Sequence, residues 1–410
     1  MPLLCIKSIC GGSHANRSFD THLSEWLEND QRLVRCLPEG SIFARRDGDK
    51  FLILLNAVDD QLCVSNCDEM RKQFETDIAS HFDVELLGQA RWCPRARITQ
   101  RTNFDVTLNQ SRHAALICNR FMPSLRLDTV TPEDQEKCMR PLPSDFVATK
   151  DDQASDVLEV KRLADEFGFQ CSSVVGMLIF SMNTFACSHF GIRKLAKFNT
   201  RPGRKHYEAA AHLLRHLRCN TRRGGLRYYA NLDDSPFTKL LASIDAPTDY
   251  PLVLCTDSSW QDCPDTSRST GCYMLFAQGG IVDAASFAPN PIALSSAESE
   301  YNAGAFGVAA AQHVRQLFQE LHGLDPDTSS SIPLVMDSSS AIAIASKSRD
   351  TRHTRHIQRR VHFVRFEFLR GNHFGVKTLG ALNPSDIGPK HVDSATLETH
   401  RLVIQVTVPA

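Results

Sequence analysis

The chain has 410 residues, 42% of them hydrophobic and 23% charged, and a formal net charge of −1. That is room for two or three domains with cores of their own, in a composition that excludes disordered and collagen-like classes. No apolar run reaches the length of a membrane span, the start MPLLCIK is too short for a signal-peptide core, and the 14 cysteines contain no C-x-x-C pair. The expected setting is intracellular, cytoplasmic or nuclear, with reduced thiols and no membrane partner.

In chain order, the first region spans residues 1–125. It holds a short helical stretch at Phe19–Trp26 and an apolar strand at Phe51–Val58 that runs into Asp59-Asp60. A second strand-like piece, Gln61–Ser65, follows at once and puts the aspartate pair at the tip of a hairpin. Asp68–Phe82 carries apolar residues at helical intervals. Residues 126–158 are rich in proline and aspartate, with PLPSD and KDDQASD, and read as an exposed linker. Residues 159–248 read as a helical segment, with Ala209, Leu213, Leu214 and Leu217 on one apolar face.

The region 249–393 has the clearest pattern. Leu252–Cys255 is a strand leading into Asp257, and Gly271–Ala277 and Ile281–Phe287 are strands joined by a Gly-Gly turn. A long helix follows from Ala297 to about Leu321, then a strand at Pro333–Met336 that ends on Asp337, then the helical run AIAIAS. A last helix, Arg355–Arg370, stops at Gly371, where a glycine cap belongs. This order predicts a mixed α/β (α+β) layer rather than a helix bundle. The tail, 394–410, gives no reading.

The near-zero total charge hides local basic stretches. Arg193–Arg227 contains eleven Lys/Arg and one acid, and Lys347–Arg370 contains eight against two. Such patches bind phosphates whatever the total charge is. On the helix Arg355–Arg370, Ile357, Val361, Val364 and Phe368 share one face. Arg355, Arg359 and His362 lie opposite, and Arg352 extends their row. A basic helix face is usually just solvated; beside a nuclease site it would track a phosphate backbone, with the Arg193–Arg227 cluster extending the track.

Hydrolysis of a phosphodiester at neutral pH needs an activated water and a stabilised leaving oxygen, which two divalent ions roughly 3.5–4 Å apart supply. Holding two hard cations together takes several carboxylates from different elements. Asp257 and Asp337 stand at strand ends, and Glu300 lies in the first turns of the long helix. That helix carries a small-chained stripe, Ala303, Gly304, Gly307 and Ala311, which lets it lie close to a sheet. Glu298 is explained by a Ser295-x-x-Glu298 capping box, leaving Glu300 as the better ligand. Asp386 follows the turn cluster Asn383-Pro384-Ser385. Taken singly, each acid has a bland reading as a solvated charge or a cap. The two Asp-Ser-Ser sites also suggest an aspartic protease dyad, but Ser259 and Ser339 stand where its tight turn needs glycine.

The motifs TDSSW, STGCYMLF, ALSSAESEYNA, VMDSSSAIA, HTRHI, RRVHFVR and NPSDIGPK follow one another between residues 251 and 393. In that order they resemble the RNase H domain of Ty1/copia-type retrotransposon Pol polyproteins. The resemblance implies that Asp257, Glu300, Asp337 and Asp386 are catalytic metal ligands for two Mg²⁺ or Mn²⁺ ions. It implies an RNA–DNA hybrid as partner and hydrolysis of its RNA strand. Apart from the resemblance, His353 and His356 are candidates for a proton donor near the scissile phosphate, though no spacing requires it. Two departures are Ser338, where the family usually has Asn, and Gly388-Pro389, which would break a helix after Asp386.

Upstream, SSVVGMLIFSMNT and RPGRKHYEAAAHLLRHL resemble the segment that joins polymerase to RNase H in these polyproteins. FLILLNAVDDQLCVSN resembles the YVDD hairpin of the reverse-transcriptase palm, with Ala57 in place of the tyrosine. Residues 1–125 are thus expected to be a partial palm, 159–248 a thumb or connection, and Asp59 and Asp60 a residual polymerase pair. The family's third palm carboxylate precedes the segment matched at Lys7, so polymerase activity is not expected from this chain. The rival reading is a non-catalytic nucleic-acid-binding remnant of a decayed element.

Overall fold

A computed structural model describes residues 15–57, 60–93, 96–123, 131, 138–221, 224–244, 252–323, 331–347 and 358–405. The chain divides into two compact units, residues 1–94 with 312–329, and residues 95–311 with 330–410.

In the first unit, helix α1 (Ala15–Asn29) buries Leu23, Trp26 and Leu27, the i, i+3, i+4 stripe of an amphipathic helix. Strands β1 (Val34–Arg35), β2 (Ile42–Asp47), β3 (Lys50–Ala57) and β4 (Asp60–Ser65) form an antiparallel sheet in sequential order. The alternation of β3 turns Leu52, Leu54 and Asn56 inward. Helix α2 (Asp68–His81) lays Phe74 and Ile78 into the same core, where Phe74 meets Trp26 at 6.2 Å between ring centroids. Ala57 pairs with Asp60, so the chain does reverse at the expected hairpin. Asp60 opens β4 and is exposed; Asp59 lies outside the described residues. The unit's share of the first region closes after the short strand β5 (Trp92–Cys93).

The second unit begins with β6 (Ala96–Gln100) and β7 (Val106–Asn109), which form an antiparallel sheet with β8 (Gly225–Tyr228). This long-range pairing is why the units divide at residue 94 and not near the compositional boundary at 125. Helices α3 (Ser111–Phe121), α4 (Val157–Phe167), α5 (Cys171–Ser181), α6 (His189–Ala196) and α7 (Arg204–Cys219) share one core. On α7, Ala209, Leu213, Leu214 and Leu217 are all buried, as their spacing predicts. Among the described residues no single helix is long and apolar enough to cross a membrane.

Two expectations are corrected here. The described part of the supposed linker is packed: Cys138, Leu142, Phe146 and Ala154 are buried, and Leu142 and Phe146 belong to the helical core. Its prolines and aspartates make turns, but its few apolar side chains are enough to anchor them. The segment 159–248 is also not wholly helical, since it contributes β8 before the short helix α8 (Thr238–Ser243). A four-residue strand is too short to show a period.

The main sheet joins β9 (Leu252–Ser259), β10 (Thr270–Ala277), β11 (Gly280–Phe287), β12 (Ile332–Met336) and β13 (His373–Lys377) in the order β11-β10-β9-β12-β13. β9, β10 and β11 are antiparallel neighbours, whereas β12 runs parallel to β9 and β13 parallel to β12. The hairpin turn is Gln278-Gly279, with φ of +49° and +70°, so both of its residues are left-handed and Gly280 already belongs to β11. Helices α9 (Ser296–His322), α10 (Ser339–Ser346), α11 (Gln358–Leu369) and α12 (Ser394–Ile404) complete the unit's pattern, the last turns of α9 being counted with the first unit. Helix α11 ends before Gly371 at φ +72°, as expected.

The two faces of β9 meet different neighbours. Val253 and Cys255 share a core with Phe237, which precedes α8, Ile387, and Leu397 and Ile404 of α12. Leu254 and Thr256 instead meet Gly307 of α9. The described part of the tail that had no reading is therefore a helix built into the core.

Candidate metal centre

β9 runs past Asp257 to Ser259 because Thr256–Ser259 pair with Thr270–Tyr273. Asp257 is thus inside the strand rather than at its end, opposite Cys272 and on the same face as Val253 and Cys255. Asp337 follows β12 directly, and Glu300 sits in the second turn of α9. The structure brings these three together: one carboxylate oxygen from each lies within 4.8 Å of the others.

The small stripe on α9 makes that possible. A Cβ on Gly307 would fall 2.9 Å from Thr256 Cγ2, and one on Gly304 would fall 2.9 Å from Met336 Cε. The helix therefore packs close on β9 at Gly307, where a larger residue must displace Thr256 and Leu254, and at Gly304 it meets the mobile end of Met336. Glu298 takes the capping part: its N–H donates to Ser295 Oγ at 3.2 Å, and its Oε2 accepts from the Leu294 N–H at 2.8 Å. The second bond reaches one residue further back than a standard box.

Glu300 is held by its neighbour in β9. Both the N–H and the hydroxyl of Ser258 donate to Glu300 Oε1, at 3.1 and 2.9 Å. Glu300 Oε2 is buried and accepts no hydrogen bond, and buried Asp257 Oδ2 has only the Lys390 ammonium near it, at 3.4 Å, among the described residues. Burial raises the Asp257 carboxyl well above the ordinary range, the charge of Glu300 adds to this, and Lys390 opposes it. Burial likewise raises Glu300, the Ser258 hydroxyl pulls it down, and Asp337 pushes it up. Buried carboxylate oxygens that repel one another and are short of donors are a donor set for hard cations.

Asp386 is placed differently. It lies in a 3₁₀ turn, Pro384–Ile387, capped by Asn383, whose Oδ1 accepts from the Ser385 N–H at 3.3 Å. The other end of that amide ties the turn to the strand, Asn383 Nδ2 donating to the Thr256 carbonyl at 2.9 Å. Asp386 is not one of the three converging residues. It pairs instead with Lys390, whose ammonium also lies 3.4 Å from Asp257 Oδ2. Gly388, a departure from the family pattern, has a local reason: a Cβ there would sit 2.1 Å from Cys272 Sγ.

Ser258, Asn383 and Lys390 are the residues that sequence reasoning missed. Lys390 had a signal, its four-residue spacing from Asp386. The grip of Ser258 is half backbone and had none. Just beyond β9, the Trp260 indole N–H donates to the Ala293 carbonyl at 2.9 Å, and its side chain is 44% exposed.

The basic surfaces divide. On α11, Val361 and Val364 are buried while Arg359 and His362 are exposed. Arg352, Arg355, His353 and His356 lie outside the described residues. Arg360 donates to Asn302 Oδ1 at 2.8 Å and Arg365 to the Ile344 carbonyl at 3.0 Å, so these two fix the helix in place. Of the eleven cations in the Arg193–Arg227 cluster, five are paired with acids and so are not open to a phosphate track. Lys194 pairs with Asp262, Lys197 with Asp265 at 2.9 Å, and Arg204 with Glu166 at 2.6 Å. Lys205 pairs with Asp152 at 3.4 Å, and Arg227 donates to buried Asp105 at 3.0 Å. Acids distant in sequence neutralise these cations, which a count along the chain does not register.

No family model and no solved structure matches the chain. It is 25% identical over 364 residues to the retrovirus-related Pol polyprotein from transposon TNT 1-94 of Nicotiana tabacum. The match covers 88% of this chain, which spans a quarter of the length of that relative. Over nearly nine tenths of its length the chain is thus similar to a retrotransposon Pol polyprotein, and this bears out the resemblance carried by its motifs.

Proposed function

We propose that the second unit is a metal-dependent nuclease of the RNase H type, which hydrolyses the RNA strand of RNA–DNA hybrids. The observation that carries this is the convergence of Asp257, Glu300 and Asp337, with the buried Glu300 Oε2 accepting no hydrogen bond and Asp257 Oδ2 faced only by the Lys390 ammonium. The sheet order and the similarity to a transposon Pol polyprotein support the same reading.

Asp257, Glu300 and Asp337 would hold divalent cations, Mg²⁺ or Mn²⁺, with Asp386 as the fourth carboxylate at the edge of the group. When bound, two such ions activate a water and stabilise the leaving oxygen of a phosphodiester. The chain's own residues do the positioning. Ser258 points one oxygen of Glu300 at the strand and leaves the other free for a ligand. Asn383 fixes the turn of Asp386 against β9. The exposed face of α11, with Arg359 and His362, would follow the phosphates of a hybrid recognised by shape and backbone.

Incubating the full chain with a labelled RNA–DNA hybrid in Mg²⁺ or Mn²⁺ tests the proposal. Cleavage of the RNA strand is expected, falling by more than about 100-fold in Asp257→Asn and in Glu300→Gln. No cleavage in either metal, or cleavage that survives Asp257→Asn, would favour the rival reading, a nucleic-acid-binding remnant without catalysis.

A further inference from the structure

Lys390 stands at the carboxylate cluster without belonging to the proposed ligand set. Its ammonium reaches two of the four acids at once, pairing with Asp386 and lying 3.4 Å from Asp257 Oδ2. Its side chain is 38% exposed, whereas those of Asp257 and Asp386 are 1% and 12% exposed. A flexible stem thus carries a cation from the solvent side into a buried anionic site. His400, buried on α12, is the other basic side chain felt at Asp386 and Lys390. Burial pushes that imidazole toward its neutral form, so it supplies little of the compensating charge. Among the described residues, the positive charge facing Asp257 and Asp386 comes from Lys390.

We infer that Lys390 is a resident counter-cation: it neutralises Asp257 and Asp386 while the site is metal-free and must withdraw for a divalent ion to use them. This rests on the reading of the cluster as a metal centre. The geometry gives the lysine two effects of opposite sign. It stabilises the metal-free fold, because without it two buried carboxylates face one another uncompensated. It also opposes metal binding, because an ion that takes Asp257 and Asp386 must first displace an ammonium already paired with them. The long, half-open side chain makes withdrawal feasible, since its head can move to solvent while the stem stays packed.

The test uses the full chain in three forms, wild type, Lys390→Met and Lys390→Arg, and two readouts. Thermal unfolding is followed in EDTA, and Mn²⁺ binding is measured by calorimetry or by electron paramagnetic resonance of the free ion. Lys390→Met is expected to melt at a lower temperature than wild type in EDTA and to bind Mn²⁺ about tenfold more tightly. Lys390→Arg keeps the charge and is expected to stay close to wild type in EDTA and to bind no more tightly. Equal or weaker Mn²⁺ binding by Lys390→Met, with wild type binding normally, overturns the counter-cation role alone. Absence of Mn²⁺ binding by wild type and by Lys390→Met alike overturns the metal-centre reading beneath it. If Lys390→Met does not fold, Lys390→Gln takes its place in the same comparison.

Discussion

His216 shows what one buried side chain can do to the whole stability curve. Its Nδ1–H donates to the Cys138 carbonyl at 2.8 Å, the ring is 2% exposed, and burial lowers its pKa from 6.5 to about 4. The folded state therefore binds fewer protons than the unfolded state across that window. Its contribution is complete above pH 6.5 and is lost as the pH falls to about 4. At about 1.4 kcal/mol per unit the loss is about 3 kcal/mol. Urea unfolding of wild type and His216→Gln at pH 7.5 and pH 4.5 measures it. The variant should lose less stability on acidification, and equal losses would refute the assignment. At this scale the sequence was readable where chemistry dictates type. Asp257, Glu300 and Asp337 were singled out because hard cations need carboxylates, and they do converge, although Asp257 lies within β9 and not at its end. Lys390 and Asn383 went unread because their partners, Asp257 and Thr256, are far away along the chain.

The element that fixes the site is α9, and its decisive property is smallness. The Gly304 and Gly307 face was legible because a run of tiny residues at helical spacing has little other use. Gly307→Val is expected to destabilise the second unit by about 2 kcal/mol, since the branched side chain must displace Thr256 and Leu254. It should also weaken Mn²⁺ binding, because Glu300 rides on the same helix. Ala309→Val, on the exposed side of α9, should stay within about 0.5 kcal/mol of wild type. Chemical denaturation with a metal titration on both variants checks the pair; equal effects would mean the close approach is unimportant. Helix α2, the β10–β11 hairpin and α9 were readable from period and turn chemistry. β13 was not: HFGVK has no alternation to speak of and is a strand only through its parallel pairing with β12. β8 was missed for the same reason, since its register is set by β7 more than a hundred residues earlier.

At the scale of the molecule, composition marked the ordinary features and misjudged the two unusual ones. Proline and aspartate suggested an exposed linker where Leu142 and Phe146 join a core, and the tail without motifs became α12. Helix α12 buries Leu397, His400 and Ile404, and Gln405 Nε2 donates to the Thr184 carbonyl at 2.7 Å. A chain ending at Asp393 should lose about 4 kcal/mol from the second unit, mostly from two aliphatic side chains. Its urea midpoint measures this, and an unchanged midpoint would mean the helix is dispensable. One further consequence follows from Trp260. Its indole is tethered to the carbonyl of Ala293, just ahead of α9, while the residue itself follows β9. It is one of three tryptophans, and with Trp26 and Trp92 replaced by phenylalanine it would be the sole long-wavelength emitter. The fold thereby carries its own fluorophore at the junction of the strand bearing Asp257 and the helix bearing Glu300. Its emission can follow, in real time and without a label, whether that junction holds when Mn²⁺ is added.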